Sequence, residues 1–307
     1  MTKIEPDIDR YGKVARASCL ADYVELLTLE GYACTKAQLE DAVGDRWGMK
    51  RQILLLPGEG TDAEEESEEY ADAAWTCFSE RSETLGDLYP FKVEESRLVL
   101  KHGFDTRSSP YVGILCITLA HAYKIPSGHN VEHLFEDIVV DTLRALGLAA
   151  EGFGGHTRAS GYDFVEGLRR MGLSMSIRVD ADAAARHVSA NDSGLDVLGH
   201  LDWSDGRFGR WLFLGQVTCA MSDRWPEKLT EVKVNRWRKF LTEMIDPVVF
   251  LAVPHHVDSR AYFDLLEGDE KAVVDRSRIV RQLRSNRHEV RDIIDAVLAA
   301  DIETLQV

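Results

Sequence analysis

No C-x-x-C pair occurs in the chain, and its five cysteines (Cys19, Cys34, Cys77, Cys116, Cys219) are scattered and odd in number. Neither a zinc knuckle nor a disulfide framework is indicated, and buried free thiols are the expectation. Long hydrophobic runs are lacking too. The most apolar stretch, 111–122, falls well short of the roughly 20 residues that span a bilayer. Residues 1–10 are polar and acidic, with no apolar segment of the secretory kind, so a cytoplasmic location is expected.

Positive charge is also in short supply. Lys and Arg number 36 against 52 Asp and Glu, a formal net charge of −16. Residues 1–126 carry 14 basic and 23 acidic side chains (−9), and residues 127–307 carry 22 and 29 (−7). Strong autonomous binding to nucleic acid needs clustered Lys and Arg against the phosphates, so this balance argues against a generic nucleic-acid binder. It does not exclude a nuclease, whose cleft needs carboxylates of its own. A protein partner subunit or a homo-oligomer would then supply part of the grip. Gly152, Gly154 and Gly155 form neither a Walker nor a dinucleotide fingerprint, and no G-x-S-x-G elbow is present.

What is there suits a globular protein. The 307 residues, 45% hydrophobic, can bury one large core or two modest ones. Apolar spacing predicts a helix within 11–31, and Thr35 with Gln38 makes a capping box for a short helix through Trp47. An acidic run over 62–69 starts a solvated helix reaching about Arg81, 91–100 reads as one or two strands, and 111–123 as a buried helix. Residues 124–128 (Lys-Ile-Pro-Ser-Gly) are the best boundary, dividing a mostly helical accessory domain, 1–126, from 127–307. Beyond it come an amphipathic helix over 131–146, a glycine-rich loop over 152–161 and a short helix over 164–172. Two strands, 195–203 and 210–218, turn at Asp205-Gly206. A charged helix over 225–242, a buried strand over 247–254 and helices over 262–266, 275–283 and 287–298 complete an α/β chain with a mixed sheet covered on both sides.

Three places carry possible chemistry. Asp196 sits on an otherwise apolar strand, Gln216 and Thr218 share one face of the next, and Glu136 follows Phe135 on the 131–146 helix. A buried Asp or Gln costs about 1–3 kcal/mol unless it is hydrogen-bonded or holds a metal. Phosphodiester hydrolysis supplies a reason. Mg²⁺ takes oxygen ligands from one or two carboxylates plus the substrate phosphate, and a lysine can serve the attacking water.

In these residues the sequence resembles the restriction-endonuclease-like, or PD-(D/E)xK, nuclease superfamily, over about 128–257. Phe135-Glu136, with Leu146-Gly147 ten residues on, is similar to the family's first core helix and its auxiliary glutamate. Gly194-Leu195-Asp196 matches its metal-binding aspartate, and Gly215-Gln216-Val217-Thr218 falls where the family has an acidic residue or Gln, one residue, then Lys. Thr218 departs from that pattern. Trp225-Pro226-Glu227-Lys228 resembles a Trp-x-x-Lys element of phage-defence relatives, which makes Lys228 the migrated lysine and Lys233 the reserve. The resemblance implies a restriction-endonuclease-like core and an Mg²⁺- or Mn²⁺-dependent endonuclease acting on DNA, with RNA the alternative substrate, in defence against foreign DNA. Asp196, Gln216 and Glu136 would hold the metal, and Lys228 would serve the water. The departures imply the alternative, a catalytically inactive nuclease-like subunit of a defence complex. His200 and Asp202 share the face of Asp196. His255 and His256, adjacent on a strand, would point to opposite sides and not share an ion. Trp211, Trp225 and Trp237 are expected in the core.

Overall fold

The computed structural model describes residues 3–54, 63–153, 163–186, 194–207, 209–243, 245–266 and 271–305, with the side chains of 46–54 and 63–66 left aside. The fold is mixed α/β. In the N-terminal part, α1 (Arg16–Leu29), α2 (Lys36–Leu54), α3 (Ala63–Leu85) and α4 (Pro110–Tyr123) accompany a small antiparallel sheet. Its strands β2 (Cys34–Thr35), β3 (Phe91–Glu94) and β4 (Arg97–Leu100) lie in the order β2-β4-β3. A short β1 (Lys3–Ile4) pairs in parallel with β10 (Asp301–Ile302), joining the two ends of the described chain.

The capping box forms as read. Gln38 N donates to Thr35 Oγ1 at 3.3 Å while Thr35 N donates to Gln38 Oε1 at 2.9 Å. The 91–100 stretch is two strands, because Glu95 and Ser96 both take positive φ (47° and 67°), the pairing a two-residue hairpin turn requires. Helix α4 starts on Ser109, whose side chain accepts from Val112 N, has Pro110 in its first turn, and stops at Lys124 in the left-handed region.

The larger sheet runs β5 (Ala149–Gly152), β6 (Val197–His200), β7 (Leu212–Val217), β8 (Val248–Ala252) and β9 (Lys271–Val274) in chain order. The first three strands are antiparallel, and β8 and β9 run parallel to β7. Side chains alternate between its two faces. Val197, Val217 and Phe250 join Phe135 and Val139 of α5 (Val131–Ala145) on one side. On the other, Leu198, Leu214 and Val249 pack with Leu168 of α6 (Phe164–Ser174) and Trp237. Further along that side, Leu251 and Val273 meet Trp225 and Ala261. The helix α7 (Ala181–Ala185) lies near Trp237 in the same cluster. The C-terminal helices are α10 (Ser259–Leu266), α11 (Arg276–Gln282) and α12 (His288–Leu298). Among the described residues, no helix is long and apolar enough to cross a membrane.

The structure changes several expectations. The helix read over 225–242 is two, α8 (Trp225–Leu229) and α9 (Val234–Phe240), because the chain turns at 230–233 to bury Val232. Strands β5 and β9 are additions: four residues of Ala-Ala-Glu-Gly or Lys-Ala-Val-Val carry too little alternation to read as strands. Of the glycine-rich loop, Gly152 ends β5 and Phe153 is buried, while 154–161 lie outside the described residues. Trp225 and Trp237 are buried, but Trp211 is 53% exposed and stacks edge-on against Trp203 at 5.7 Å. All five cysteines are buried and free.

Packing does not stop at the expected boundary. A Cβ on Gly113 of α4 would lie 2.4 Å from Asn286 Oδ1 and 2.6 Å from Val290 Cγ1, so glycine lets α12 press against α4. Asn286 Nδ2 donates to Ser109 O at 2.8 Å. Deeper, four charged side chains with no exposure form a closed set. Arg276 donates to both oxygens of Asp22 (2.6 Å each), and Arg81 reaches Asp22 at 2.9 Å and Glu25 at 2.7 Å. Tyr89 (2.6 Å) and Tyr111 (2.8 Å) donate to Glu25. Two carboxylates one helical turn apart on α1 thus receive one arginine from α3 and one from α11. Burial alone would raise the Asp22 carboxyl, but the adjacent Arg276 and Arg81 outweigh it and hold its pKa below the usual range.

Candidate active site

At the C-terminal end of β7 the chain leaves the sheet between α5 on one side and α8 on the other. The crevice there, about 250 Å³, is lined by Glu132, Phe135 and Glu136 of α5, by Val217–Ala220, and by Arg224 and Lys228. Its position follows from local structure. Asn130 caps α5 by accepting from His133 N at 3.0 Å, which sets the start of the helix at Val131. Glu132 and Glu136 then fall four residues apart on one helical face, anchored by the fully buried Phe135. Across the gap, Trp225 is pinned by its Nε1–H bond to Ala220 O (3.0 Å), which sets where α8 begins and where Lys228 emerges.

Of the residues read from the sequence, Glu136, Thr218 and Lys228 line this crevice together. Asp196 enters by another route. It precedes β6, is 9% exposed, and its Oδ2 accepts from Val217 N at 2.7 Å. Its carboxylate is therefore bonded to the backbone of a residue in the crevice wall. Gln216, one residue before Val217, alternates to the opposite side of β7 and does not line the crevice. Its side chain is 5% exposed and, among the described residues, its Oε1 has no hydrogen-bond partner. The expected residues thus gather about Val217 as two sets, not as one open ring.

Thr218 Oγ1 accepts from Ala220 N at 3.1 Å, so the residue in the family's lysine position shapes a turn. Lys228 Nζ is held by Glu231 Oε1 at 2.9 Å. Lys233, the reserve, is exposed ahead of α9 and outside the crevice. His200 is buried at the far end of β6, and Asp202 is exposed and accepts from Ser204 N in the hairpin. His255 packs on Tyr11 and Trp225, whereas His256 faces Ser277 and Glu80, so the two do not converge. Glu132, Arg224 and Cys219 were missed. The i,i+4 spacing of Glu132 with Glu136 was the available signal. Burial first, then the charges of Glu132 and Glu136, raises the Cys219 thiol well above its usual range, which makes it inert as a nucleophile.

Among the described residues no three His, Cys, Asp or Glu side chains form a group that could hold an ion. The expected ligands divide: Asp196 and the Gln216 amide oxygen could share a cation, whereas Glu136 lies across β7 from Gln216 and does not join them directly. Those are oxygen donors, and an orphaned buried Gln216 Oε1 beside a buried carboxylate fits a hard cation such as Mg²⁺ or Mn²⁺ better than zinc.

A larger cavity, 580 Å³, opens at the other end of β7, beside Leu212, Trp237, Leu241 and Pro247. There Arg238 is already paired with Asp246, and the remaining walls are chiefly apolar. Acid and base groups converge in the smaller crevice, which is therefore the candidate site. Comparison with protein-family models, curated proteins and solved structures finds no match to this chain.

Proposed function

We propose that this chain is a metal-dependent nuclease of the restriction-endonuclease-like kind, cleaving phosphodiester bonds of DNA in the restriction of phage or other foreign DNA. The observation that carries the reading is the meeting of Glu136, Lys228 and the Asp196-bonded amide of Val217 at one end of one strand. The order helix, antiparallel β5-β6-β7, then a strand parallel to β7 supports it, as does the sequence resemblance over 128–257.

Asp196 and Gln216 would hold Mg²⁺ or Mn²⁺, with Glu136, on the other side of β7, reaching it only through water; when bound, the ion neutralises charge on the phosphoryl oxygens and favours loss of a proton from water. Lys228 orients the attacking water by hydrogen bonding and offsets developing negative charge. Arg224 at the rim attracts the flanking phosphate. The water oxygen bonds to phosphorus, the bridging P–O bond breaks, and the leaving oxygen takes up a proton. With a net charge of −16 the chain grips DNA weakly, so a partner subunit or second copy contributes cationic surface.

Cleavage of supercoiled plasmid in Mg²⁺ or Mn²⁺ tests this reading. Asp196→Asn keeps an oxygen for Val217 N but removes the charge, and both it and Asp196→Ala are expected to abolish nicking, as does chelation. Full activity in Asp196→Ala refutes the assignment. The second reading is a catalytically inactive nuclease-like module that assembles with other subunits. Thr218 at the lysine position and the exposed Trp203–Trp211 pair favour it. Intact plasmid under every metal condition, together with stable co-purification of a partner through that pair, would establish it.

A further inference from the structure

The segment joining α8 to α9 places one carboxylate where two parts of the proposed site meet. Glu231 Oε1 lies 2.9 Å from Lys228 Nζ. Its backbone N–H donates to Lys228 O at 3.1 Å, closing a tight turn after α8. On its other side sits Gly194, at φ +74°, where a Cβ would lie 2.7 Å from both the carbonyl carbon and oxygen of Glu231. Two residues further on is Asp196. Glu231 therefore touches the lysine through its side chain and the approach to the aspartate through its main chain.

Lys228 has other carboxylates within its crevice, since Glu132 and Glu136 line the opposite wall. A lysine on a flexible four-carbon stem distributes among such partners unless one is fixed. We propose that Glu231 is a positioning residue that holds the Lys228 ammonium on the Asp196 side of the crevice, away from Glu132 and Glu136. Glu231 is two-thirds buried at the side chain, and its backbone is locked by the turn and by Gly194. The main chain that carries this carboxylate is thus fixed independently of the lysine it holds. This inference rests on the nuclease reading for the role of Lys228, though not for the contact itself.

The test has two arms. Competitive acetylation of lysine amines, read by mass spectrometry on the intact chain without metal or DNA, reports the contact. Lys228 is expected to label more slowly than exposed Lys233, and Glu231→Gln to speed Lys228 several-fold with Lys233 unchanged. Cleavage kinetics report the role. Glu231→Ala is expected to lower kcat between about tenfold and a hundredfold, as misplacement by about 1 Å does, with KM within about twofold. Glu231→Asp is expected to recover part of the rate, and Glu231→Ala to add nothing in a Lys228→Ala background. Unchanged labelling of Lys228, or additive losses in the double variant, overturns the proposal while leaving the nuclease reading in place. Full cleavage by Asp196→Ala removes that reading instead.

Discussion

Replacing Arg276 by methionine tests the idea that the N-terminal helices and the C-terminal helices share one charged core. Met fills most of the volume of the arginine stem but removes both 2.6 Å bonds to Asp22, the 3.1 Å bond to Thr118 Oγ1 and the 3.0 Å bond to Pro254 O. Asp22, with no exposure, is left to Arg81 at 2.9 Å, and that arginine is already shared with Glu25. Breaking a buried pair by removing one partner costs about 3–5 kcal/mol, because the remaining charge is uncompensated. At about 2 °C per kcal/mol for a chain of this size, the midpoint should fall by roughly 6–10 °C. Urea unfolding of the parent, Arg276→Met, Asp22→Leu and the double variant closes the cycle. The double variant removes one charge of each sign and leaves Arg81 with Glu25, so it should be more stable than Arg276→Met. The pH dependence has a definite sign. Asp22 has a lowered pKa, so its stabilisation is present above the usual carboxylate range and is lost as pH falls through its folded pKa. In Arg276→Met the carboxyl takes a proton at higher pH, and the deficit against the parent should narrow between pH 7 and 4. A loss below about 1 kcal/mol, or a double variant less stable than both singles, would refute the reasoning.

Two further perturbations follow from local geometry. Burial, and then the charge of Arg276, lowers His255 to about 3. A histidine whose pKa is lowered stabilises fully above about 6.5 and less as pH falls toward 3, by about 2–3 kcal/mol at pH 4.5. His255→Phe keeps a ring against Tyr11 and Trp225 and should flatten that slope in urea titrations, and an unchanged slope contradicts the assignment. Gly194→Ala adds a Cβ where φ is +74° and Glu231 backbone is 2.7 Å away, so a loss of roughly 1–3 kcal/mol and displacement of Lys228 are expected. A melting temperature equal to the parent's would show that the loop yields freely.

Local signals carried much of the fold. The Thr35–Gln38 capping box, Pro110 at the start of α4 and the amphipathic stripe of α5 act over one or two helical turns, and each formed where the residues placed it. The helix expected over 225–242 failed for a non-local reason. Its charges suit a continuous helix, but Val232 gains more by entering the core beneath β7 than the backbone loses by turning. Strands β5 and β9 are too short to announce themselves and exist because β6 and β8 offer them unpaired edges. The site divides in the same way. Asp196 was legible as a carboxylate in an apolar strand, Glu136 by its place after Phe135 on an amphipathic helix, and Lys228 only through the resemblance of Trp225-Pro226-Glu227-Lys228 to a family element. Gln216 was legible as a buried amide, but period-two alternation combined with α5 on one face put it on the other side of Val217.

The amino-acid sequence alone determined where helices begin, which faces are apolar, and that no metal knuckle, disulfide frame or long hydrophobic span was available. It could not show that Asp22 and Glu25 meet Arg81 and Arg276, since charges on a helix read as solvated until distant segments bury them. Nor could it show that residues 136, 196 and 228 meet at Val217. Contacts between residues far apart in the chain are set by how the layers stack, and only the tertiary structure fixes that stacking.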